Sequence, residues 1–263
     1  MKNYKKIYLD NNHLINLLDG TDHHYKELFE LISKNEIKLL ISDLLLIEQA
    51  NVYKPTLSAR AAQAEAINFS YLRSHKTLIK MEIANSLKGT GIKPETDNFF
   101  KVIKFPYKRL LSSKQKKLTF PELLKILPEK PLPPQNDPLY LFLNNRENQR
   151  KNLKQFILNY HLSNCSLINK KDLTKIDEFT CPSLFFYFSS WMCKVENSTK
   201  NLSRNDAFDS AHCAYVPYSD LFVTDRGNAH CIKQSIVKFN KSAQKACSTK
   251  ILYKCSDLIQ ELR

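Results

Sequence analysis

Five carboxylates stand at spacings that could do chemistry. Asp10 ends the apolar run Ile7-Tyr8-Leu9, and Asp225 ends a second run, Leu221-Phe222-Val223-Thr224. Open parallel sheets bind ligands just beyond the C-terminal ends of their strands, so two acids placed there can share one site. Asp206 and Asp209 lie three apart in NDAFDSAH, which puts both on one face of a helix. Glu48 falls in the apolar segment LLLIEQANV, where Leu44, Glu48 and Val52 share a face at spacings of four. A carboxylate on such a face must be protonated, paired or bound to a cation, because burying it alone is costly. Clustered carboxylates likewise raise one another's pKa values unless a cation neutralises them. All-oxygen ligation suits a hard ion, Mg²⁺ or Mn²⁺. On a basic chain that chemistry fits phosphodiester hydrolysis.

Each of these residues also has a plainer role. Asp10 can cap the helix that follows it, and Glu48 can belong to a buried ion pair or an exposed helix edge. His212, three after Asp209, can contact a substrate phosphate, orient Asp209 or simply bond a neighbour. Asp220, ahead of its strand and at the end away from the proposed site, reads as a turn or cap.

The elements that would position these groups read as α/β. The strand ending in Asp10 leads into HLINLLDG, closed by Gly20. Tyr25 to Lys34 has helical spacing, Ile37 to Ile41 is strand-like, and Ser42 or Asp43 can cap the next helix. Ala59 to Leu87 reads as one or two helices, RAAQAEAINFSYL the clearest part. Cys181 to Cys193, CPSLFFYFSSWMC, is expected to be a core helix. Ile236 to Phe239 and Lys250 to Tyr253 read as strands, and Ser256 or Asp257 as the cap of a closing helix. The domain expectation is a core built from residues 1–54 and 201–263, with 55–200 as a mostly helical basic insertion packed on it.

Composition narrows the function. The chain has 263 residues, with 40 Lys+Arg against 26 Asp+Glu and a formal charge of +14, which attracts polyanions. Lys104, Lys108, Arg109, Lys114, Lys116 and Lys117 form a basic stretch interleaved with Phe105 and Tyr107, a pattern suited to phosphate contact and base stacking. Asn148 to Leu162 reads as a basic helix, and the proline-rich Pro128 to Pro138 as a stiff loop. Four Gly and no phosphate-loop or dinucleotide fingerprint argue against nucleotide-cofactor enzymes. Seven Cys without a C-x-x-C pair point to no zinc site. The N-terminus has no signal-peptide core, and no stretch is apolar enough to span a bilayer. The expected setting is reducing and cytoplasmic, without a membrane partner.

The ordered series IYLDNN, ISDLLLIE, NDAFDSAH and LFVTD resembles the PIN-like domain family of metal-dependent ribonucleases, over residues 5–53 and 203–262. The resemblance implies a three-layer α/β/α fold with a central, mainly parallel sheet, and Mg²⁺- or Mn²⁺-dependent cleavage of RNA. It implies metal ligands at Asp10, Glu48, one or both of Asp206 and Asp209, and Asp225, with Asn12 and Thr224 in support. The alternative is a catalytically silent RNA-binding or scaffold module that keeps the fold. A haloacid-dehalogenase-like phosphatase with Asp10 as nucleophile fits less well, since Asn12 stands where a second acid is expected.

Overall fold

The structure is a computed structural model, and it describes residues 5–34, 37–49, 54–89, 92, 94–96, 119–126, 180–197, 203–238 and 248–263. In chain order its elements are β1 (Lys5–Leu9), α1 (Asn11–Asp19), α2 (His23–Lys34), β2 (Ile37–Ile41), α3 (Asp43–Gln49), α4 (Lys54–Ala64), β3 (Phe69–Leu72), α5 (His75–Lys88), β4 (Glu95–Thr96) and α6 (Phe120–Ile126). Then follow α7 (Pro182–Asn197), α8 (Arg204–Cys213), a 3₁₀ turn at Val216–Tyr218, β5 (Leu221–Val223), α9 (Arg226–Lys238), β6 (Lys250–Leu252) and α10 (Cys255–Leu262).

The strands form one sheet in the order β4-β3-β2-β1-β5-β6. Five are parallel, and β4 lies antiparallel on the edge beside β3. A parallel strand flanked on both sides must be apolar throughout. Accordingly Ile7, Tyr8 and Leu9 of the central β1 are each at most 2% exposed. The Tyr8 ring stacks on Phe222 of β5 and on Tyr215, with both centroid separations 5.1 Å.

The helices pack in two groups. One joins α10 to α2, α2 to α1, α1 to α4 and α4 to α6; the other sets α7 against α5, α8 and α9. Parallel crossovers are right-handed, so connections running to opposite sides of β1 put their helices on opposite faces. The arrangement is that of an α/β fold consistent with three α/β/α layers. The apolar segment from Cys181 is the expected core helix: Leu184, Phe186, Tyr187 and Trp191 of α7 are buried.

Some elements depart from the sequence reading. The segment read as the clearest helix is helical only to Ala64, and its end, Phe69–Leu72, is strand β3, paired with β2. Phe and Tyr in alternation favour the pleated, half-buried surface of a strand. The sheet therefore runs into the span assigned to the helical insertion. Ile236, Val237 and Lys238, read as a strand, end α9 instead. Ala229, Ile232 and Ser235 face inward at helical spacing while Val237 is 74% exposed, and a four-residue apolar run is too short to show that period. The closing helix starts at Cys255, so Ser256 and Asp257 lie inside it, and Lys254 at its N-cap makes no side-chain capping bond. Val52, the basic stretch from Lys104 to Lys117, the proline-rich Pro128 to Pro138 and the segment Asn148 to Leu162 lie outside the described residues. Among the described residues no helix is long and apolar enough to cross a membrane.

Candidate functional site

The strand order places the chain's reversal between β1 and β5. From β1 the chain proceeds to β2 and β3 on one side, and β5 and β6 then fill the other. In open α/β sheets the ligand crevice lies at this switch point, outside the carboxyl ends of the strands. Asp10 and Asp225 stand there. The Asp10 N–H donates to the Val223 carbonyl at 2.9 Å, and the Asp225 N–H donates to Asp10 Oδ2 at 3.1 Å.

Both acids also cap helices. Asp10 Oδ1 accepts the His13 N–H at 3.1 Å, so its 7% exposed carboxylate is fixed by two backbone donors. Asp225 is exposed; its Oδ1 accepts the N–H groups of Gly227 at 2.7 Å and Asn228 at 3.0 Å, at the start of α9. Both carboxylates thus satisfy backbone donors at helix N-termini, at the mouth of the crevice.

Glu48 reaches the site from α3, and a buried chain of hydrogen bonds holds it. Its Oε2 lies 2.8 Å from His212 Nε2, and His212 Nδ1 lies 2.6 Å from the Tyr8 hydroxyl. That hydroxyl in turn meets Ser42 Oγ at 2.9 Å. A carboxylate only accepts, so Nε2 carries the proton toward Glu48 whichever way the remainder of the chain is polarised. Burial opposes protonation of His212, but the charge and hydrogen bond of Glu48, helped by Asp10 and Asp209, hold its pKa above the usual value. His212 thus bonds Glu48 rather than orienting Asp209.

The two aspartates of α8 separate by environment. Asp206 Oδ2 accepts the Ser203 N–H and hydroxyl, both at 2.7 Å, and the Ser203 hydroxyl accepts the Asp206 N–H. This is a capping box. Burial works against ionisation of Asp206, yet Ser203 and Lys194 together hold its pKa below the usual range. Asp209 has another setting. Burial, and after it the nearby charge of Asp225, push its pKa up against the pull of Lys194. It belongs to the crevice through Asp225 and His212, whereas Asp206 is committed to the helix start.

Sequence reasoning passed over Lys194 and Asn228. Lys194 extends from α7 with its ammonium 2.8 Å from Asp209 Oδ2 and 3.7 Å from Asp206 Oδ1. Its signal was a lone cation just after an apolar run. Asn228, 3% exposed, donates to Thr224 Oγ1 at 3.1 Å and to the Asp209 carbonyl at 3.4 Å, tying α8 to the end of β5. Thr224 supports the site in this way. Asn12 is exposed in the first turn of α1, while its neighbour Asn11 accepts from Gln49 at 2.6 Å. Asp220 is structural, as expected: it accepts the Lys6 N–H at 2.7 Å at the start of the sheet.

A cleft of about 510 Å³ opens beside these groups, lined by Lys194, Asp206, Asp209, Asp225 and Asn228 among others. Cys231 lines it too and is disulfide-bonded to Cys193, joining α9 to α7 where the sequence reading expects reduced thiols. Those two helices pack side by side, which brings the cysteines together across 38 residues of chain. The oxygen donors fit a hard divalent cation in type. In position they do not converge: among the described residues no three of these acids bring ligand atoms within 4.8 Å of one another. Among the described residues, the trio whose ligand atoms all lie within 4.8 Å is instead Asp22, His23 and His24 at the start of α2. No family model, no curated protein and no solved structure matches the chain. The fold and the switch-point acids therefore define it as an α/β protein with an acidic crevice.

Proposed function

We propose that the chain is a divalent-metal-dependent endoribonuclease with a PIN-like α/β/α fold. The observation that carries this reading is the pair Asp10 and Asp225 at the ends of adjacent parallel strands, at the point where strand order reverses. The formal charge of +14 supports a polyanionic substrate, and the resemblance of the four sequence segments supports RNA.

Asp10, Asp225 and Glu48 would hold Mg²⁺ or Mn²⁺, which when bound supplies polarisation of a phosphoryl oxygen and activation of the attacking water. The chain's own residues do the positioning. Backbone N–H groups fix Asp10 and Asp225, and His212 fixes one oxygen of Glu48. Such outer-shell bonds set the orientation of ligating carboxylates. Asp209 adds negative charge on the cleft side, balanced by Lys194.

Asp10→Asn keeps an acceptor for the His13 N–H but removes the charge and the acceptor for the Asp225 N–H. It is expected to abolish Mg²⁺- or Mn²⁺-dependent cleavage of RNA while the circular dichroism spectrum stays near wild type, with a melting temperature lowered by the lost hydrogen bond but well above the assay temperature. Cleavage by the folded variant, or none by the wild type with either ion, would sink the proposal. The spread of the carboxylates, with Lys194 seated on Asp209, favours one second reading, a silent RNA-binding or scaffold module. That reading expects metal-independent RNA binding with no product across single-stranded and structured substrates.

A further inference from the structure

We propose that Asp22, His23 and His24 form a metal site apart from the crevice, one that takes a borderline divalent transition ion of the Zn²⁺ class at the start of α2. One ligand atom from each lies within 4.8 Å of the other two, which is the convergence that the crevice acids lack. Bonds of about 2.0–2.2 Å to a tetrahedral ion set its ligands roughly 3.3–3.6 Å apart. Asp22 and His23 are exposed and His24 is half-buried, so small side-chain rotations close the trio on an ion.

Local structure prepares the three donors. Asp22 precedes α2; its Oδ1 accepts the Tyr25 N–H at 3.1 Å, and its carbonyl accepts the Lys26 N–H at 3.1 Å. That is the bonding of an N-cap, and it directs the carboxylate while leaving Oδ2 for a ligand. His23 and His24 open the helix, and their rings meet edge to face with centroids 3.8 Å apart. Among the described residues neither ring makes a hydrogen bond, whereas His13 Nδ1 is taken by the Tyr25 hydroxyl at 2.7 Å. Two imidazoles with one carboxylate suit Zn²⁺, Co²⁺ or Ni²⁺, while Mg²⁺ and Mn²⁺ favour oxygen alone. The site uses no cysteine, so the cysteine spacing of the chain says nothing against it. Glu27, in the next turn, pairs with Arg263 of the closing helix. Three protein ligands then leave a position for water. The trio also connects to the carboxyl end of the sheet: the His13 N–H donates to Asp10, its ring meets Tyr25, and the Tyr25 N–H donates to Asp22. An ion on Asp22 pins the connection between α1 and α2 beside the helix that Asp10 caps.

The test is titration of the full chain with Zn²⁺ against a chromophoric chelator, and with Co²⁺ followed by its absorption spectrum. Loss of an outer-shell partner already costs about 10–100-fold in metal affinity, so His23→Ala/His24→Ala is expected to weaken the tightest Zn²⁺ site by at least about tenfold. Asp10→Asn is expected to leave that site within about twofold of wild type, and bound Co²⁺ to show d–d bands without thiolate charge transfer. Zn²⁺ affinity unchanged in the double variant, a tenfold loss in folded Asp10→Asn, a thiolate band, or no Zn²⁺ binding by the wild type would each overturn the proposal. Should the double variant fail to fold, Asp22→Asn and His24→Ala decide singly. Each is expected to lose about tenfold or more, and affinities within about twofold of wild type overturn the proposal. None of these outcomes bears on cleavage of RNA with Mg²⁺ or Mn²⁺, which the crevice reading predicts by itself.

Discussion

The hydroxyl of Tyr8 decides how Glu48 is held. It sits in the middle of β1, fully buried, between Ser42 and His212 Nδ1. Tyr8→Phe keeps the ring that stacks on Phe222 and Tyr215, so the core loses no volume. It leaves His212 Nδ1 without that partner in a dry site, at a cost of about 1–3 kcal/mol. Urea unfolding should show that loss, and Mn²⁺ affinity should fall about 10–100-fold as Glu48 loses its fixed orientation. Unchanged stability and affinity would mean that the chain from Ser42 to Glu48 is not what positions the carboxylate. Much of the site was legible because acids at strand ends and a lone glutamate in an apolar helix are anomalies that a sequence shows. The Tyr8 hydroxyl was not, since a tyrosine in an apolar strand looks like core until its partners are known. The difference between Asp206 and Asp209 was legible in principle: Ser203 stands three before Asp206, the spacing of a capping box.

At the level of elements, α7 carries Lys194, and Glu82 of α5 anchors its N-terminus. The carboxylate of Glu82 is fully buried and accepts the N–H of Ser183 at 2.9 Å, that of Leu184 at 3.4 Å, and the hydroxyl of Tyr218. Pro182 opens the helix, so these are the donors of the first turn that need partners. Burial, opposed by these hydrogen bonds, raises the Glu82 pKa from 4.5 to about 7. Between those values the folded state holds a proton that the unfolded chain has released. Stability from this group therefore falls as pH rises through that window, by up to about 3 kcal/mol. Glu82→Gln cannot ionise and should lose this component of the pH profile, so urea midpoints at about pH 5 and about pH 8 should differ less in the variant. Identical profiles would refute the assignment. The same layer shows what local pattern cannot supply. The strand β3 and the end of α9 were misread because a short apolar run fits either period, and only pairing with β2 or continuation from the Asp225 cap decides between them.

For the whole molecule the governing quantity is charge. Forty Lys+Arg against 26 Asp+Glu leave a strongly basic chain whose candidate site is acidic. On the proposed reading, a cation at that acidic site and a phosphate backbone elsewhere on the chain are complementary demands, and they call for basic residues apart from the carboxylates. Lys114, Lys116 and Lys117 lie in the sequence segment with the densest run of positive charge around aromatic residues. Each phosphate neutralised by a lysine releases counterions, so the logarithm of affinity falls with the logarithm of salt in proportion to the contacts made. If those three lysines meet single-stranded RNA, reversing all three to glutamate should weaken binding and make the salt slope shallower by about 2, at about 0.7 per contact. Fluorescence anisotropy with a labelled RNA across a salt series measures both quantities. A weaker affinity with an unchanged slope would place the effect on folding rather than on phosphate contacts. An unchanged affinity and slope would assign RNA attraction to the other basic residues of the chain.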